Sequence, residues 1–381
     1  MTSTLDIHTS FPDAPEFYEV YWNRKPFVVK GGVEAGLAAE LIEPDELAGL
    51  SLEEEVRSRL VTGPVGGWAC RHGPFEEGDF AGLGEQGWNL LVHNVEHFHP
   101  PVARLLPLFN FSPRWLLDDI MISYSVPGGT VGPHIDSYHV FLVQGQGRRR
   151  WKVGAAALKE ERYIPGIDLR VLRDDFDGTS VDVGPGDVIY IPPRVPHEGI
   201  TLESALTYSV GFLGPSVPEL FMAYGQYLEE RGETEARYLG DGLTEQNGGF
   251  AAGPEVTGGI RQLMKQGLEG QTFTDWLVSY FSTSPVEDEI YQEPSPDIRE
   301  FLTEGTLSRP EQEKIVISPS ANGDMLVGYR GECYRVAGSN EPLLRKIESG
   351  EIISASDLEN LFDGDELPSL LKNILLASSP E

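Results

Sequence analysis

Apolar and polar positions in the first half of the chain alternate in short runs, which predicts strands rather than long helices. Strands are expected at residues 24–29, 148–153 and 188–191. A hairpin is expected at the glycines of residues 145–147, and short helices at residues 17–22, 45–50 and 52–60. The pattern therefore predicts an α+β protein whose first domain, residues 1–213, is built around a sheet core at about residues 100–213.

From residue 216 the spacing becomes helical. Ser216 and Glu219 form a capping-box pattern, and apolar residues continue at helical spacing to residue 228. Further helices are expected at residues 259–268 and 272–282, and the second is rich in aromatic side chains. These side chains exceed what one small domain buries, so we expect residues 214–290 to form a helical dimerisation segment, with docking inside the chain as the alternative.

An acidic, proline-bearing segment at residues 284–296 marks the next boundary. Beyond it, residues 314–317, 325–329 and 332–336 have strand patterns, and residues 342–349, 355–362 and 367–377 have helical ones. Residues 297–381 are therefore expected to form a separate C-terminal domain.

Composition limits the functional classes. A net charge of -31 and a pI near 4.5 argue against a nucleic-acid or membrane ligand and suit a basic protein partner, although the same balance keeps many proteins soluble. Cys70 and Cys333 lie outside any CxxC motif, which favours a reducing compartment. No apolar run is long enough to span a membrane, and residues 1–7 lack a signal-peptide pattern. We therefore expect a cytoplasmic protein.

The most informative motif combines His134 and Asp136 with the distant His197. Residues i and i+2 of a strand point to one face, so His134 and Asp136 can hold one ion together. His197 follows a strand and a Pro-Pro turn, which places its imidazole at a sheet rim. Two histidines and one carboxylate on one face of an octahedral ion leave positions open for chemistry and are typical of non-haem Fe(II) oxygenases.

The surrounding turns strengthen this prediction, because a lone His-x-Asp is more often a hydrogen-bonded pair at a strand end. Glycines at residues 128–132 mark a turn before the first two ligands, and residues 184–187 mark a turn before the strand leading to His197. This order of elements is that of an eight-stranded jelly roll. A second cluster, His93, His97 and His99, cannot place all three rings on one face of one element, so structural packing is favoured there.

Fe(II) oxygenases that use 2-oxoglutarate need a cation for the distal carboxylate of that co-substrate, preferably the planar fork of an arginine. No Lys or Arg lies between His197 and Arg231, so the cation is expected on the strand at residues 148–153. Strand alternation groups Arg149 with the apolar face and leaves Arg150 to solvent. Arg149 is therefore the expected inward cation.

These motifs resemble the Jumonji-C branch of the 2-oxoglutarate oxygenases, and within it the bacterial ribosomal oxygenases, which hydroxylate an arginine of large-subunit ribosomal protein L sixteen. The resemblance runs from about residue 17 past residue 228 and is most specific at residues 118–129, 144–151 and 206–212. Most Jumonji-C enzymes carry Lys where this chain has Arg149, which favours the ribosomal branch.

The resemblance implies a cupin-type double-stranded β-helix with Fe(II) held by His134, Asp136 and His197. It also implies 2-oxoglutarate held by Arg149 and Ser123, O2 as oxidant, and release of succinate and CO2. The implied product is an arginine hydroxylated at its β-carbon, in a basic ribosomal protein. The C-terminal domain resembles a winged helix, and its few basic residues favour protein contact over direct nucleic-acid binding.

An arginine substrate needs an anionic partner for its guanidinium, and Asp118 or Asp119 is the candidate, the alternative being an ordinary strand start. Tyr138 has the strand parity of His134 and Asp136 and is expected in the same pocket, unless it is simply core. Two other functions remain open: a Jumonji-C hydroxylase or demethylase acting on another residue or protein, and a non-catalytic jelly-roll module that binds protein.

Overall fold

The computed structural model describes residues 5–63, 67–232, 236–245, 252–284, 298, 305–320, 322–358 and 366–378. The chain divides into two compact units, residues 1–214 and residues 215–381. Among the described helices, none has the length and apolar character needed to cross a membrane. Cys70 and Cys333 are both free thiols.

One ten-stranded sheet organises the first unit. Its strands are β1 Asp6–His8, β2 Phe27–Val29, β3 Ser58–Thr62, β4 Ala69–His72, β5 Trp88–Val92, β6 Leu117–Ser125, β7 His139–Gly154, β8 Gly178–Val183, β9 Val188–Ile191 and β10 His197–Phe212. They pair in the order β1-β2-β9-β7-β10-β6-β5-β3-β4, with β8 beside β7. All pairings except β1 with β2 are antiparallel, and the predicted α+β jelly roll is confirmed.

Short helices precede and interrupt this sheet. The α-helices are Ala14–Glu16, Ala35–Glu40, Pro44–Leu50, Glu77–Ala81 and Val95–Phe98, the π-helix is Phe17–Tyr21, and the 3-10 helices are Pro100–Phe109 and Arg114–Leu116. Their apolar side chains pack on the sheet in one large core, in which Phe17, Phe109 and Phe141 are fully buried. Burial of such aromatic rings, together with the aliphatic side chains around them, stabilises this unit through the hydrophobic effect.

The prediction of a hairpin at residues 145–147 is wrong. β7 continues through these residues and pairs with β10 from one end to the other, with register shifts near Glu203 and Leu206. Gly147 has φ +67°, and a β-carbon there would lie 2.0 Å from the Ser204 carbonyl oxygen. The glycines therefore allow a bulged bend in a continuous strand pair instead of a chain reversal.

The prediction of a helix at residues 52–60 is also wrong. Residues 51–56 form turns, and β3 begins at Ser58 and pairs with β4 and β5. The glutamates of residues 53–55 favour a helix locally, but Leu60 and Val61 are buried in the sheet, and this tertiary contact decides the conformation.

The second unit combines helices with a small antiparallel sheet. Its helices are Val217–Glu230, Pro254–Gly267, Gln271–Phe281, Glu341–Ser349 and Leu367–Ser378, with 3-10 turns at Gly338–Asn340 and Ala355–Leu358. Its strands are β11 Ile315–Pro319, β12 Met325–Tyr329 and β13 Glu332–Val336. Tyr329, Leu344 and Leu371 are fully buried in its core.

Helix Gln271–Phe281 packs directly on this small sheet. A β-carbon on Gly328 would lie 2.2 Å from the Val278 carbonyl oxygen, and Asp275 forms an ion pair of 2.6 Å with Arg335. Part of the aromatic helical segment is thus docked inside the chain, the alternative left open by the sequence. Apart from Ser284, the proposed linker of residues 284–296 lies outside the described residues. The three-domain division, the dimerisation segment and the winged helix stay predictions.

Candidate active site

His134, Asp136 and His197 converge at one end of the jelly roll. His197 is the first residue of β10, and His134 lies between β6 and β7 and forms an isolated bridge with it, through reciprocal backbone hydrogen bonds of 3.0 and 2.9 Å. The two imidazole centroids are 4.2 Å apart, and His197 Nε2 lies 3.5 Å from Asp136 Oδ2. One ligand atom from each residue lies within 4.8 Å of the others.

The backbone fixes the tautomer of both histidines. His134 Nδ1 lies 2.9 Å from the Gly132 carbonyl oxygen, and His197 Nδ1 lies 3.0 Å from the Val195 carbonyl oxygen. A carbonyl oxygen only accepts, so each Nδ1 carries the proton and donates it. In the neutral form of each imidazole, Nε2 therefore has the free lone pair, which is the form that binds a metal.

The protonation states also suit a cation. Burial, together with the neighbouring His197, lowers the pKa of His134 to about 4, so its imidazole is neutral at physiological pH. Burial raises the pKa of Asp136, but the two neighbouring histidines, His197 and His134, outweigh this effect, and the net pKa is lowered. His134 thus presents a neutral nitrogen, and Asp136 presents a carboxylate.

This donor set fits a divalent iron ion. Adjacent ligands of an octahedral ion with bonds of about 2.1 Å are separated by about 3 Å. The 3.5 Å separation of His197 Nε2 and Asp136 Oδ2 is close to that spacing. A facial set of three protein ligands also leaves three positions for other molecules.

Arg149 occupies the inner part of the same cavity and is only 4% exposed. Its Nη2 donates to the Gly199 carbonyl oxygen at 3.1 Å, and its Nη1 lies 3.5 Å from Ser123 Oγ and 3.4 Å from Thr207 Oγ1. Its Nε has no hydrogen-bond partner, and no ion pair joins it to a carboxylate of the described residues. Burial lowers its pKa to about 10, which still leaves it charged at neutral pH.

A buried cation without an anionic partner is costly, so the site requires a complementary anion. The cavity has a volume of about 480 Å³, which is within the range of small-molecule sites. Trp151 lines it, and its ring lies 4.8 Å from the Arg149 guanidinium carbon. A dicarboxylate bridging from the metal ligands to Arg149 matches these features.

Tyr138 lines the cavity, as expected, but neither Asp118 nor Asp119 does. Asp119 shares the face of β6 that carries Ser123, is 8% exposed, and lies 2.9 Å from His93 Nδ1. Asp118 lies on the opposite face of that strand and is exposed.

The remaining histidines of the sequence cluster do not join a common centre. His99 Nε2 donates to the Leu41 carbonyl oxygen at 2.9 Å, and His97 lies beside Glu96. Among the described residues, no group of metal ligands contains His93, His97 or His99. Structural packing is the interpretation that the geometry supports.

Several cavity residues had no signal in the sequence. Arg59 on β3 lines the cavity and is the cross-strand neighbour of His72 on β4, which lines it too. Asn89 on β5 and Asp168, in the loop between β7 and β8, complete that side. The pairing of β3 with β4 and β5 would have revealed Arg59, His72 and Asn89, but residues 52–60 were expected to be helical.

Comparisons with known proteins agree with this geometry. The family model described as the JmjC domain matches residues 104–220. Ribosomal protein uL16 3-hydroxylase of Escherichia coli is 37% identical over 364 residues, which cover 94% of this chain and 93% of that protein. A solved structure of E. coli YcfD matches with a TM-score of 0.81 at 34% identity, covering 99% of this chain and 98% of that one.

A further solved structure is that of YcfD, a ribosomal oxygenase from E. coli, in complex with cobalt and 2-oxoglutarate. It matches with a TM-score of 0.76 at 35% identity, over 95% of both chains. With a relative 37% identical over nearly its whole length and a matching JmjC domain, the chain belongs to the JmjC ribosomal oxygenases.

Proposed function

We propose that this protein is a 2-oxoglutarate- and Fe(II)-dependent oxygenase that hydroxylates the β-carbon of an arginine residue in a ribosomal protein. The observation that carries the proposal is one cavity that contains both the His134, Asp136 and His197 cluster and a buried arginine, Arg149, with no anionic partner in the part of the chain that the structure describes. The cobalt and 2-oxoglutarate complex of the E. coli relative supports the same pair of ligands.

The proposed metal ligands are His134, Asp136 and His197. Fe(II) bound there supplies the activation of O2 that couples decarboxylation of 2-oxoglutarate, to succinate and CO2, with insertion of one oxygen atom into a C–H bond. Arg149 binds the distal carboxylate of 2-oxoglutarate, and the Ser123 and Thr207 hydroxyls beside it complete that contact. The protein's contribution is orientation, because the bond nearest the oxidant is the one that reacts.

The proposed substrate is an arginine of the basic ribosomal protein uL16, the protein named in the activity of the E. coli relative. Asp119 is the better-placed of the two aspartates for the guanidinium, because it continues the face of β6 that carries Ser123. A β-carbon on Gly211 would lie 3.4 Å from Asp119 Oδ1 and 3.7 Å from the Tyr138 ring, so the glycine leaves room between them. Tyr138 is proposed to pack against the arginine stem.

We propose that the molecule acts as a homodimer in the cytoplasm. Several apolar side chains on helices Val217–Glu230 and Pro254–Gly267 are half exposed or more, with Phe221 at 50%, Met222 at 69% and Met264 at 51%. Such a concentration of exposed apolar surface is typical of an interface. The net charge of -31 favours contact with basic protein over direct binding of nucleic acid.

The test is to incubate the iron-loaded protein with 2-oxoglutarate and a digest of ribosomal proteins, followed by mass spectrometry. One arginine-containing peptide heavier by an oxygen atom, with succinate in equal amount, is expected. A lost methyl group would instead indicate a demethylase, and absence of succinate with every peptide would indicate a binding module.

A matched pair of variants tests the substrate contact. Asp119→Asn should raise the KM for the peptide at least about tenfold, as expected when a charged partner of a guanidinium is lost. Asp118→Asn should leave it within about twofold, as is usual for an exposed charge. The reverse order would contradict the assignment of Asp119.

A further inference from the structure

A second group of metal-ligand side chains lies outside the cluster already described. Cys70 and His72 occupy positions i and i+2 of β4 and so share one face of that strand. Asp168 comes to them from the loop between β7 and β8. One ligand atom from each of these three residues lies within 4.8 Å of the others.

The separations are close to those of a tetrahedral ion. Bonds of about 2.3 Å to sulfur and about 2.1 Å to nitrogen or oxygen place two tetrahedral ligand atoms about 3.4 to 3.6 Å apart. Cys70 Sγ lies 3.9 Å from His72 Nε2, and His72 Nε2 lies 2.9 Å from Asp168 Oδ2. Shifts of about 0.3 to 0.5 Å bring both pairs to the tetrahedral spacing. Such shifts are easy here because the side chains of His72 and Asp168 are 61% and 79% exposed.

We propose that Cys70, His72 and Asp168 form a second metal site, for a borderline-soft divalent ion such as Zn²⁺ or Co²⁺. A thiolate, an imidazole and a carboxylate are all good ligands for these ions, whereas Mg²⁺ and Ca²⁺ prefer oxygen alone. Three protein ligands leave the fourth tetrahedral position to water. The partly exposed ligands allow the ion to enter and leave without opening the fold.

The position of this site gives it a consequence for the enzyme. His72 and Asp168 both line the cavity that contains the catalytic cluster, and their exposure places them at its mouth. An ion held there stands in the path of a protein substrate while leaving His134, Asp136 and His197 free. Binding is therefore expected to weaken the peptide's access without displacing the catalytic metal.

The two sites differ in one ligand type, which makes them separable. The catalytic cluster contains nitrogen and oxygen only, whereas the second site contains sulfur. Cobalt bound to a thiolate has a near-ultraviolet charge-transfer band that cobalt bound to imidazole and carboxylate lacks. The chain also offers a matched control, because Cys333 is the other free thiol.

The experiment is a Co²⁺ titration of the metal-free protein, followed by absorption and by equilibrium dialysis. The wild type should bind two equivalents and develop the thiolate band. Cys70→Ser and His72→Ala should each bind one equivalent and lose the band, and the retained equivalent shows that the variants are folded. Cys333→Ser should behave as the wild type.

Three outcomes would overturn the proposal. The first is binding of a single equivalent of Co²⁺ by the wild type, and the second is a thiolate band that persists in Cys70→Ser. The third is a thiolate band in His72→Ala that appears with the same Co²⁺ affinity as in the wild type, which would indicate that Co²⁺ binds the thiol alone. The predicted effect of this second ion on peptide access is tested with the iron-loaded enzyme. Added Zn²⁺ should raise the KM for peptide several-fold more in the wild type than in Cys70→Ser, which serves as the control for displacement of iron.

Discussion

At the scale of single residues, the catalytic centre depends on contacts that the local sequence already encodes. His134 and Asp136 are two positions apart, and a glycine-rich turn sets their backbone. The carbonyl groups of Gly132 and Val195 then hold the Nδ1 proton of each histidine, so that both Nε2 lone pairs face one point. Such hydrogen bonds to the outer nitrogen are a common way to orient a metal-binding imidazole.

Arg149→Ala should mainly raise the requirement for 2-oxoglutarate. Loss of a buried charged partner for a carboxylate, worth about 2 kcal/mol, corresponds to an increase in the KM for 2-oxoglutarate of about 30-fold. Arg149→Lys should be intermediate, because an ammonium retains the charge but not the fork.

Arg150→Ala is the matched control for that measurement. Arg150 is the neighbouring exposed position and donates two hydrogen bonds to Asp182, of 2.6 and 2.9 Å. Its loss should leave the KM for 2-oxoglutarate within about twofold, since exposed pairs contribute little. Equal effects of the two substitutions would contradict the assignment of Arg149.

Glu96 is expected to make stability depend on pH. It is 1% exposed, and burial raises its pKa to about 8, while its Oε2 accepts a hydrogen bond from Ile120 N at 2.9 Å. Because the folded pKa is above the unfolded value, the folded state favours the protonated acid. The contribution of Glu96 to the free energy of unfolding is then fully present below the unfolded pKa of about 4.5. It is lost as the pH rises from there through the folded pKa of about 8, by about 1.4 kcal/mol per pH unit.

Glu96→Gln removes the titration and keeps the shape. The melting temperature of the variant relative to wild type should increase from pH 5 to about pH 8, near the folded pKa. The exposed Glu54→Gln, measured in the same way, should show no such trend. A constant difference in melting temperature between Glu96→Gln and wild type across this pH range would contradict the raised pKa of Glu96.

At the scale of elements, the long pair β7 and β10 positions the site, because His197 begins β10 and Arg149 lies on β7. The bend in that pair depends on Gly147. Gly147→Ala should destabilise the first unit by more than about 3 kcal/mol, since it adds a clash with the Ser204 carbonyl oxygen to the strain of a positive φ.

Gly128→Ala is the control, as Gly128 has φ +75° but nothing within 4 Å of its missing β-carbon. It should cost about 1 to 2 kcal/mol, the strain alone. Chemical denaturation of both variants measures the difference. Equal losses would mean that the bulge does not depend on close approach at Gly147.

The sequence predicts those features that depend on local spacing and misses those that depend on long-range pairing. The His134 and Asp136 pair, the inward Arg149 and the capping box at Ser216 all follow from positions a few residues apart, and the last is present as expected. The bulge at Gly147 and the strand at Ser58 depend on which distant strand lies alongside. The same glycines suit a hairpin or a bulge, and only the pairing with β10 decides between them.

The cavity wall shows the same limit. Arg59 and His72 become neighbours through the register of β3 against β4, and Asp168 joins them from a loop almost a hundred residues later. No local pattern contains that information, so this side of the site becomes visible only in the folded chain.

At the scale of the whole molecule, the exposed apolar helices are predicted to join two copies. The wild type should sediment as a dimer, and the double substitution Phe221→Glu with Met264→Glu should give a monomer, because buried like charges oppose association. Ile352→Glu, at a position 64% exposed in the same unit, should remain dimeric. A monomeric wild type would contradict the dimerisation segment.

The central claim is that His134, Asp136 and His197 hold one ferrous ion that also binds 2-oxoglutarate. The most direct measurement is anaerobic addition of Fe(II) and 2-oxoglutarate, with detection of the visible charge-transfer band of a 2-oxo acid chelated to ferrous iron. The wild type and His93→Ala should show the band, and Asp136→Ala should not. Absence of the band in the wild type, or its persistence in Asp136→Ala, would contradict this account.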